Sequence, residues 1–172
     1  DIGKLFLDAV NYKGKVFNID PNKKMIAQGK KRFGNIKNIT WKLGSAEKLS
    51  FRENSFDYYA ISFGLRNTKN INKSIKEAYR VLKPGGRFLC LEFSKIENSN
   101  LEFLYKKYSK LIPIIGSFVV GEKEPYKYLI ESIDKFINQE ELIDCMKKNG
   151  FENCTYRNLS GGVVAIHSGW KI

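Results

Sequence analysis

The residues best suited to chemistry in this chain stand at the ends of apolar runs. Phe56 to Ile61 has the length and aromatic content of a buried strand, and it runs into Ile61-Ser62-Phe63-Gly64-Leu65-Arg66-Asn67. In open α/β sheets the ligand crevice lies outside the carboxyl ends of the strands, so this heptad reads as part of an active site. Arg66 also admits a plainer reading, as a surface arginine near a helix start. Asp20 closes the run Lys15 to Ile19, the position where such folds bind the two hydroxyls of a ribose, although a carboxylate there also favours the helix that Pro21 begins. Ser45 and Ala46 follow the next strand, where a side chain and a backbone amide can frame an adenine edge; Gly44-Ser45 is equally an ordinary turn. Ser62 can offer its hydroxyl and carbonyl to a polar cofactor tail. His167, the one histidine, is a base by residue type or a packed strand residue.

These positions need a frame, and the chain supplies one by alternation. Lys4 to Val10 reads as a helix end and Asn11 to Gly14 as a turn. The strand Lys15 to Ile19 follows, then a helix with Pro21 at its first position and Met25, Ile26 and Gly29 on one face, running to about Phe33. Strands are expected at Ile39 to Leu43 and Phe56 to Phe63. Asn72 to Leu82 is an amphipathic helix with Ile75, Ala78, Tyr79 and Leu82 inward, stopped by Pro84. Arg87 to Phe93 is nearly unbroken apolar, as a strand covered on both faces should be. Helices at Leu101 to Lys110 and at Gln139 to Asn149 come next, the second closed by Gly150. Strands Asn153 to Asn158 and Gly162 to Ser168 flank Ser160-Gly161-Gly162, a turn short enough for a hairpin. The fold class is α/β, a doubly wound, mostly parallel sheet ending in an antiparallel hairpin.

Composition limits the function classes. With 172 residues, 42% of them hydrophobic, the chain suits one domain over 1–172 with a sizeable core. No apolar run reaches the roughly 18 residues of a membrane span, and the opening Asp1-Ile2-Gly3-Lys4 shows no basic region followed by an apolar signal core, so any targeting segment is expected to precede residue 1. Cys90, Cys145 and Cys154 are too widely spaced for a disulfide framework or a metal site, so no metal is expected. A net charge of +12 invites a nucleic-acid partner, but the lysines are spread along the chain among many asparagines, as compositional bias would produce. The better functional use of that charge is contact with an anionic membrane surface, at roughly 1 kcal/mol per basic residue.

Lys83-Pro84-Gly85-Gly86 is a turn with a mechanism, since Pro84 presets one central dihedral and Gly85 can take a positive φ. Between a helix ending Arg80-Val81-Leu82 and the strand Phe88 to Phe93, it resembles the class I S-adenosylmethionine-dependent methyltransferases, a Rossmann-like fold. Ser62 to Asn67, Tyr79 to Gly86, Leu91-Glu92-Phe93-Ser94-Lys95 and the ending Leu159 to His167 resemble the ubiquinone/menaquinone biosynthesis C-methyltransferases more closely still, over residues 1 to 172. Members of that family carry a first strand and a glycine-rich loop ending Gly-Thr-Gly-Asp. Asp1 aligns with the final aspartate and the loop is absent, so the expectation is a domain truncated at its N-terminus. At Ser45 the family more often has a longer amide or acid.

The resemblance implies transfer of a methyl group from S-adenosyl-L-methionine to a ring carbon of a polyprenylated benzoquinol or naphthoquinol. It implies Asp20, Ser45, Ala46 and Ser62 as cofactor contacts, Arg66 as the group that stabilises a phenolate or orients a water, and Asn67 as a positioning donor. The apolar stretch within Tyr108 to Tyr128 is a lid for a prenyl tail, a core segment or a dimer contact. Peripheral membrane contact, a homodimer or a quinone-biosynthesis complex fit the family, with a cytoplasmic location at the inner membrane or, in a eukaryote, a mitochondrial matrix. Two other classes stay open. A methyltransferase of this fold can act on nucleic acid or another small molecule, although Ser62-Phe63-Gly64-Leu65 stands where base-amino methyltransferases carry Asn/Asp-Pro-Pro-aromatic. A noncatalytic partner protein can retain the fold.

Overall fold

The computed structural model describes residues 2–96 and 124–172, which gather into two compact units, Asp1–Arg52 and Glu53–Ile172. The expected helix at Leu101 to Lys110, most of the apolar stretch from Tyr108 to Tyr128, and Asp1 lie outside the described residues.

The first unit runs α1 (Ile2–Ala9), β1 (Val16–Asp20), α2 (Lys23–Phe33) and β2 (Ile39–Leu43). β1 and β2 pair in parallel, Val16 opposite Ile39 through Asp20 opposite Leu43, and α2 is the crossover that parallel pairing requires. Pro21 is not the first helical residue. The Asp20 carboxylate accepts the Asn22 N–H at 2.7 Å, and the Asn22 side chain then accepts from the Lys24 N–H, so Asn22 is the cap. Ile26 faces inward as expected, whereas Met25 is exposed. Gly29 is fixed by contact, because a Cβ there would come within 2.1 Å of the Trp41 ring.

In the second unit β3 (Phe56–Ser62) leads through a 3₁₀ turn (Leu65–Asn67) into α3 (Ile71–Val81) and β4 (Leu82–Phe93); α4 (Glu124–Lys135), α5 (Gln139–Lys148), β5 (Glu152–Leu159) and β6 (Val164–Trp170) follow. The sheet order is β3-β4-β6-β5, with β3 parallel to β4 and the other pairs antiparallel. The expected alternation with an antiparallel terminal hairpin is therefore present, its strands divided between a two-stranded and a four-stranded sheet.

α3 starts on the Asn70 side chain, which accepts the Lys73 N–H, and its Ile75, Ala78 and Val81 are buried. It stops before Pro84 exerts any effect, because Leu82 is already extended. The freed carbonyls are satisfied from a distance: Arg80 O accepts from Asn54 N, Val81 O from Ser55 N, and Tyr79 O and Leu82 O from the Lys171 ammonium. Between the pairs Phe56–Leu82 and Tyr58–Arg87 the register shifts, and Lys83 to Gly86 fill the excursion. Gly85 takes φ +77° there, its N–H donating to Lys171 O. Phe88, Cys90, Leu142, Met146 and Phe151 form the centre of the core between this sheet and helices α3 and α5. Each large apolar side chain so buried contributes about 1.5–3 kcal/mol.

Candidate active site

β3 ends at Ser62, paired with Leu91 of β4, and the chain turns off the sheet through Phe63. Phe63 has φ +52°, a left-handed conformation that is costly for an aromatic residue. Its N–H donates to Leu91 O, and the turn aims its carbonyl at the next residues: Arg66 Nη1 donates to Phe63 O at 2.7 Å and Asn67 Nδ2 at 3.4 Å.

The Arg66 guanidinium is held from several sides. Nη1 also donates to Glu92 Oε1 at 2.8 Å, an ion pair whose side chains are 9% and 1% exposed. Nε donates to Ser132 Oγ on α4 at 3.3 Å, and the guanidinium carbon lies 5.1 Å from the centre of the Phe93 ring. Three of its five N–H groups are thus engaged. The two on Nη2 have no partner among the described residues. Asn67 is exposed, and its Oδ1 accepts the Tyr128 hydroxyl of α4 at 3.0 Å. Arg66, Thr68, Ile71, Tyr128 and Ser132 line an open cavity of about 350 Å³, within the roughly 300–1,000 Å³ range of small-molecule sites.

In the first unit, Asp20 and Ser45 stand at the ends of adjacent parallel strands. Asp20 O accepts the Gly44 N–H at 3.2 Å, which ties the two strand ends together. One carboxylate oxygen of Asp20 serves the turn into α2 and the other has no partner among the described residues. Bonding the turn into α2 and binding a ligand are therefore compatible at Asp20, a half-buried residue at a strand end whose second carboxylate oxygen could take a ribose diol. Ser45 is less free: its hydroxyl donates to Glu47 Oε2 at 2.8 Å and accepts the Glu47 N–H at 3.3 Å. Ala46 is half-buried beside it.

This chain belongs to the ubiE/COQ5 methyltransferase family. The family model matches residues 1–171. A ubiquinone/menaquinone biosynthesis C-methyltransferase UbiE of Rickettsia bellii (strain OSU 85-389) is 52% identical over 157 residues, 89% of this chain and 63% of the relative. The UbiE of Brucella abortus (strain S19) is 45% identical over 176 residues, 100% of this chain and 65% of the relative. The chain thus spans a little under two thirds of the length of these curated relatives. Among solved structures, a SAM-dependent methyltransferase of Aquifex aeolicus superposes with a TM-score of 0.70 at 15% identity, covering 98% of this chain and 75% of that one. A second, from Thermotoga maritima and described as a possible histamine N-methyltransferase, gives 0.66 at 23%, covering 95% and 76%. Both establish the Rossmann-like α/β fold.

Within this ubiE/COQ5 member, the sequence-predicted Ser62, Arg66 and Asn67 fall on one strand end of the second unit, and Asp20, Ser45 and Ala46 on two adjacent strand ends of the first. Ser62 is half-buried, its hydroxyl without a partner among the described residues. His167 does not join them. It lies in β6, 2% exposed, with Nε2 3.2 Å from Gln139 O and its ring against Tyr156. That contact makes Nε2 the protonated nitrogen and leaves Nδ1 without a partner among the described residues, and burial lowers the ring below its ordinary pKa. The packed reading of His167 is the one the fold supports. Among the described residues no cluster of His, Cys, Asp or Glu could hold a metal, and no helix is long and apolar enough to cross a membrane.

Three contributors escaped the sequence reading: Glu92, Tyr128 and Ser132. Glu92 had a signal, since a lone acid inside the apolar run Arg87 to Phe93 must find a partner if buried. The other two had none, because α4 touches the Leu65–Asn67 turn only through the tertiary fold.

Proposed function

We propose that this chain carries the catalytic core of a methyltransferase that moves a methyl group from S-adenosyl-L-methionine to a ring carbon of a polyprenylated benzoquinol or naphthoquinol. Membership of the ubiE/COQ5 family across residues 1–171 carries the reading, and the geometry says how the residues would serve it. S-adenosyl-L-methionine, when bound, supplies an electrophilic methyl group. Asp20 would hold its ribose hydroxyls with the free carboxylate oxygen, with Ser45, Ala46 and Ser62 as further contacts.

An aromatic carbon is a weak nucleophile until a neighbouring hydroxyl loses its proton, so the site must favour the phenolate. The uncommitted Nη2 edge of Arg66 provides two charged donors for that oxygen, already oriented before substrate arrives, which is the arrangement that contributes most in electrostatic catalysis. Asn67, fixed by Phe63 O and Tyr128, retains one amide N–H to orient the ring. A polyprenyl tail resides in lipid, so the reading also places the protein against a membrane surface, where its net charge of +12 would favour anionic headgroups.

The test is the product. Full-length protein given isotope-labelled S-adenosylmethionine and a demethylated quinol should place the label on a ring carbon, located by mass spectrometry. Label on a ring oxygen, or none on the quinol while RNA or DNA is labelled, would overturn the reading.

A further inference from the structure

Glu92 has a position that stability alone does not explain. It lies in β4 between Leu91 and Phe93, opposite Ala165 of β6, and is 1% exposed. Burying a carboxylate with its arginine costs desolvation that their attraction seldom more than balances, and an apolar residue of similar volume would serve the core at least as well. Its contacts are correspondingly specific. Oε1 accepts Arg66 Nη1 at 2.8 Å and the Phe93 N–H at 2.9 Å, while Oε2 accepts the Arg66 N–H at 3.3 Å. One carboxylate therefore holds both ends of Arg66, its backbone and its guanidinium, and is itself held by its own strand.

The arginine needs such an anchor. It sits on a three-residue 3₁₀ turn just after the left-handed Phe63, where a long side chain would otherwise sample many rotamers at a cost recovered only on binding. Ser62 is the last residue of β3 paired to β4, opposite Leu91. Glu92 is the next residue of β4, at the level where the heptad leaves the sheet. The sheet, the most rigid element nearby, thereby dictates where the guanidinium lies, and Phe63 O and Ser132 Oγ complete its orientation. What is left to face a ligand is the Nη2 edge.

We propose that Glu92 is the positioning residue of this site, orienting Arg66 so that its Nη2 donors meet the oxygen of the substrate ring. This rests on the reading that Arg66 acts on that oxygen, and the experiment separates the two. In full-length protein, Arg66→Ala should reduce quinol methylation, and guanidinium chloride, well below denaturing concentrations, should restore it by about tenfold, the equivalent of one charge-assisted hydrogen bond. In Arg66→Ala/Glu92→Gln the same guanidinium should restore nothing, because the carboxylate that would seat it is gone. A merely structural Glu92 would not change rescue. Glu92→Gln alone should lower kcat by about 10²-fold, the usual cost of misplacing a catalytic group by an ångström, with cofactor affinity unchanged and the fold intact by circular dichroism. On the Arg66→Ala background it should add little. Equal rescue with and without Glu92, or a full additional loss from Glu92→Gln in the absence of Arg66, would overturn the positioning role. Undiminished turnover in Arg66→Ala would overturn the reading of the site itself.

Discussion

The two units solve the problem of holding a polar group in opposite ways. In the first, Asp20 is tied to Asn22 and Ser45 to Glu47, each two residues away in sequence. In the second, the local bonds of Arg66 and Asn67 to Phe63 O are joined by distant ones, Arg66 to Glu92 and Ser132, 26 and 66 residues away, and Asn67 to Tyr128, 61 away. Local bonds form with the turn that contains them and leave atoms spare: Asp20 keeps a free carboxylate oxygen. Long-range bonds require the whole unit to be folded, and they fix which edge of the side chain is left free, here the Nη2 group of Arg66. The charge is uneven as well, since residues 1–52 hold 12 of the 30 Lys and Arg but 4 of the 18 Asp and Glu. A cofactor contact can be built from a short stretch of chain, whereas a site that must stabilise charge during a reaction draws on the rigidity of the sheet.

That contrast can be broken at either end. The largest effect on cofactor affinity is expected at Asp20, where a carboxylate bonded to a sugar hydroxyl is worth about 1.5–3 kcal/mol, so Asp20→Ala should weaken S-adenosylmethionine binding to the full-length protein by roughly 10–100-fold in calorimetry. Equal binding would remove the ribose contact from Asp20. A smaller effect is expected at His167, one of the long-range polar contacts of the second unit. Its pKa lies below the ordinary 6.5 because burial disfavours the charged ring. The unfolded chain therefore takes up the proton more readily, so stability is fully present above pH 6.5 and is lost as pH falls through that value toward the lowered one. Urea unfolding at a series of pH values should show this slope in the wild type and a flatter one in His167→Phe. Parallel slopes would mean that other groups govern the acid limb.

The same contrast decides what could be read from the residues. β2 runs from Ile39 to Leu43 as expected, the Pro84-Gly85-Gly86 turn has its positive φ at Gly85, and the terminal strands form their hairpin. The residue types that mark all three lie within a few positions of one another. The helix start after Asp20 was off by the length of one capping bond: the Asp20 carboxylate holds the Asn22 N–H, which moves the cap to Asn22 and leaves Pro21 outside. Arg66 was legible as a candidate because its residue type and its place after a strand were visible. How it is held was not, because Glu92 reaches it across two paired strands and Ser132 from a helix that the sequence pattern did not reveal. The buried ion pair is recorded in the sequence only as an acid out of place among apolar residues.

The claim that the end of β3 does chemistry while the Asp20 region holds the cofactor is tested most directly by one variant measured two ways. Arg66→Ala in the full-length protein should lower quinol methylation by about 10²–10³-fold, the usual cost of losing a group that stabilises developing negative charge, and should leave S-adenosylmethionine affinity unchanged. Unchanged turnover, or a loss of cofactor affinity that accounts for the lost turnover, would contradict it.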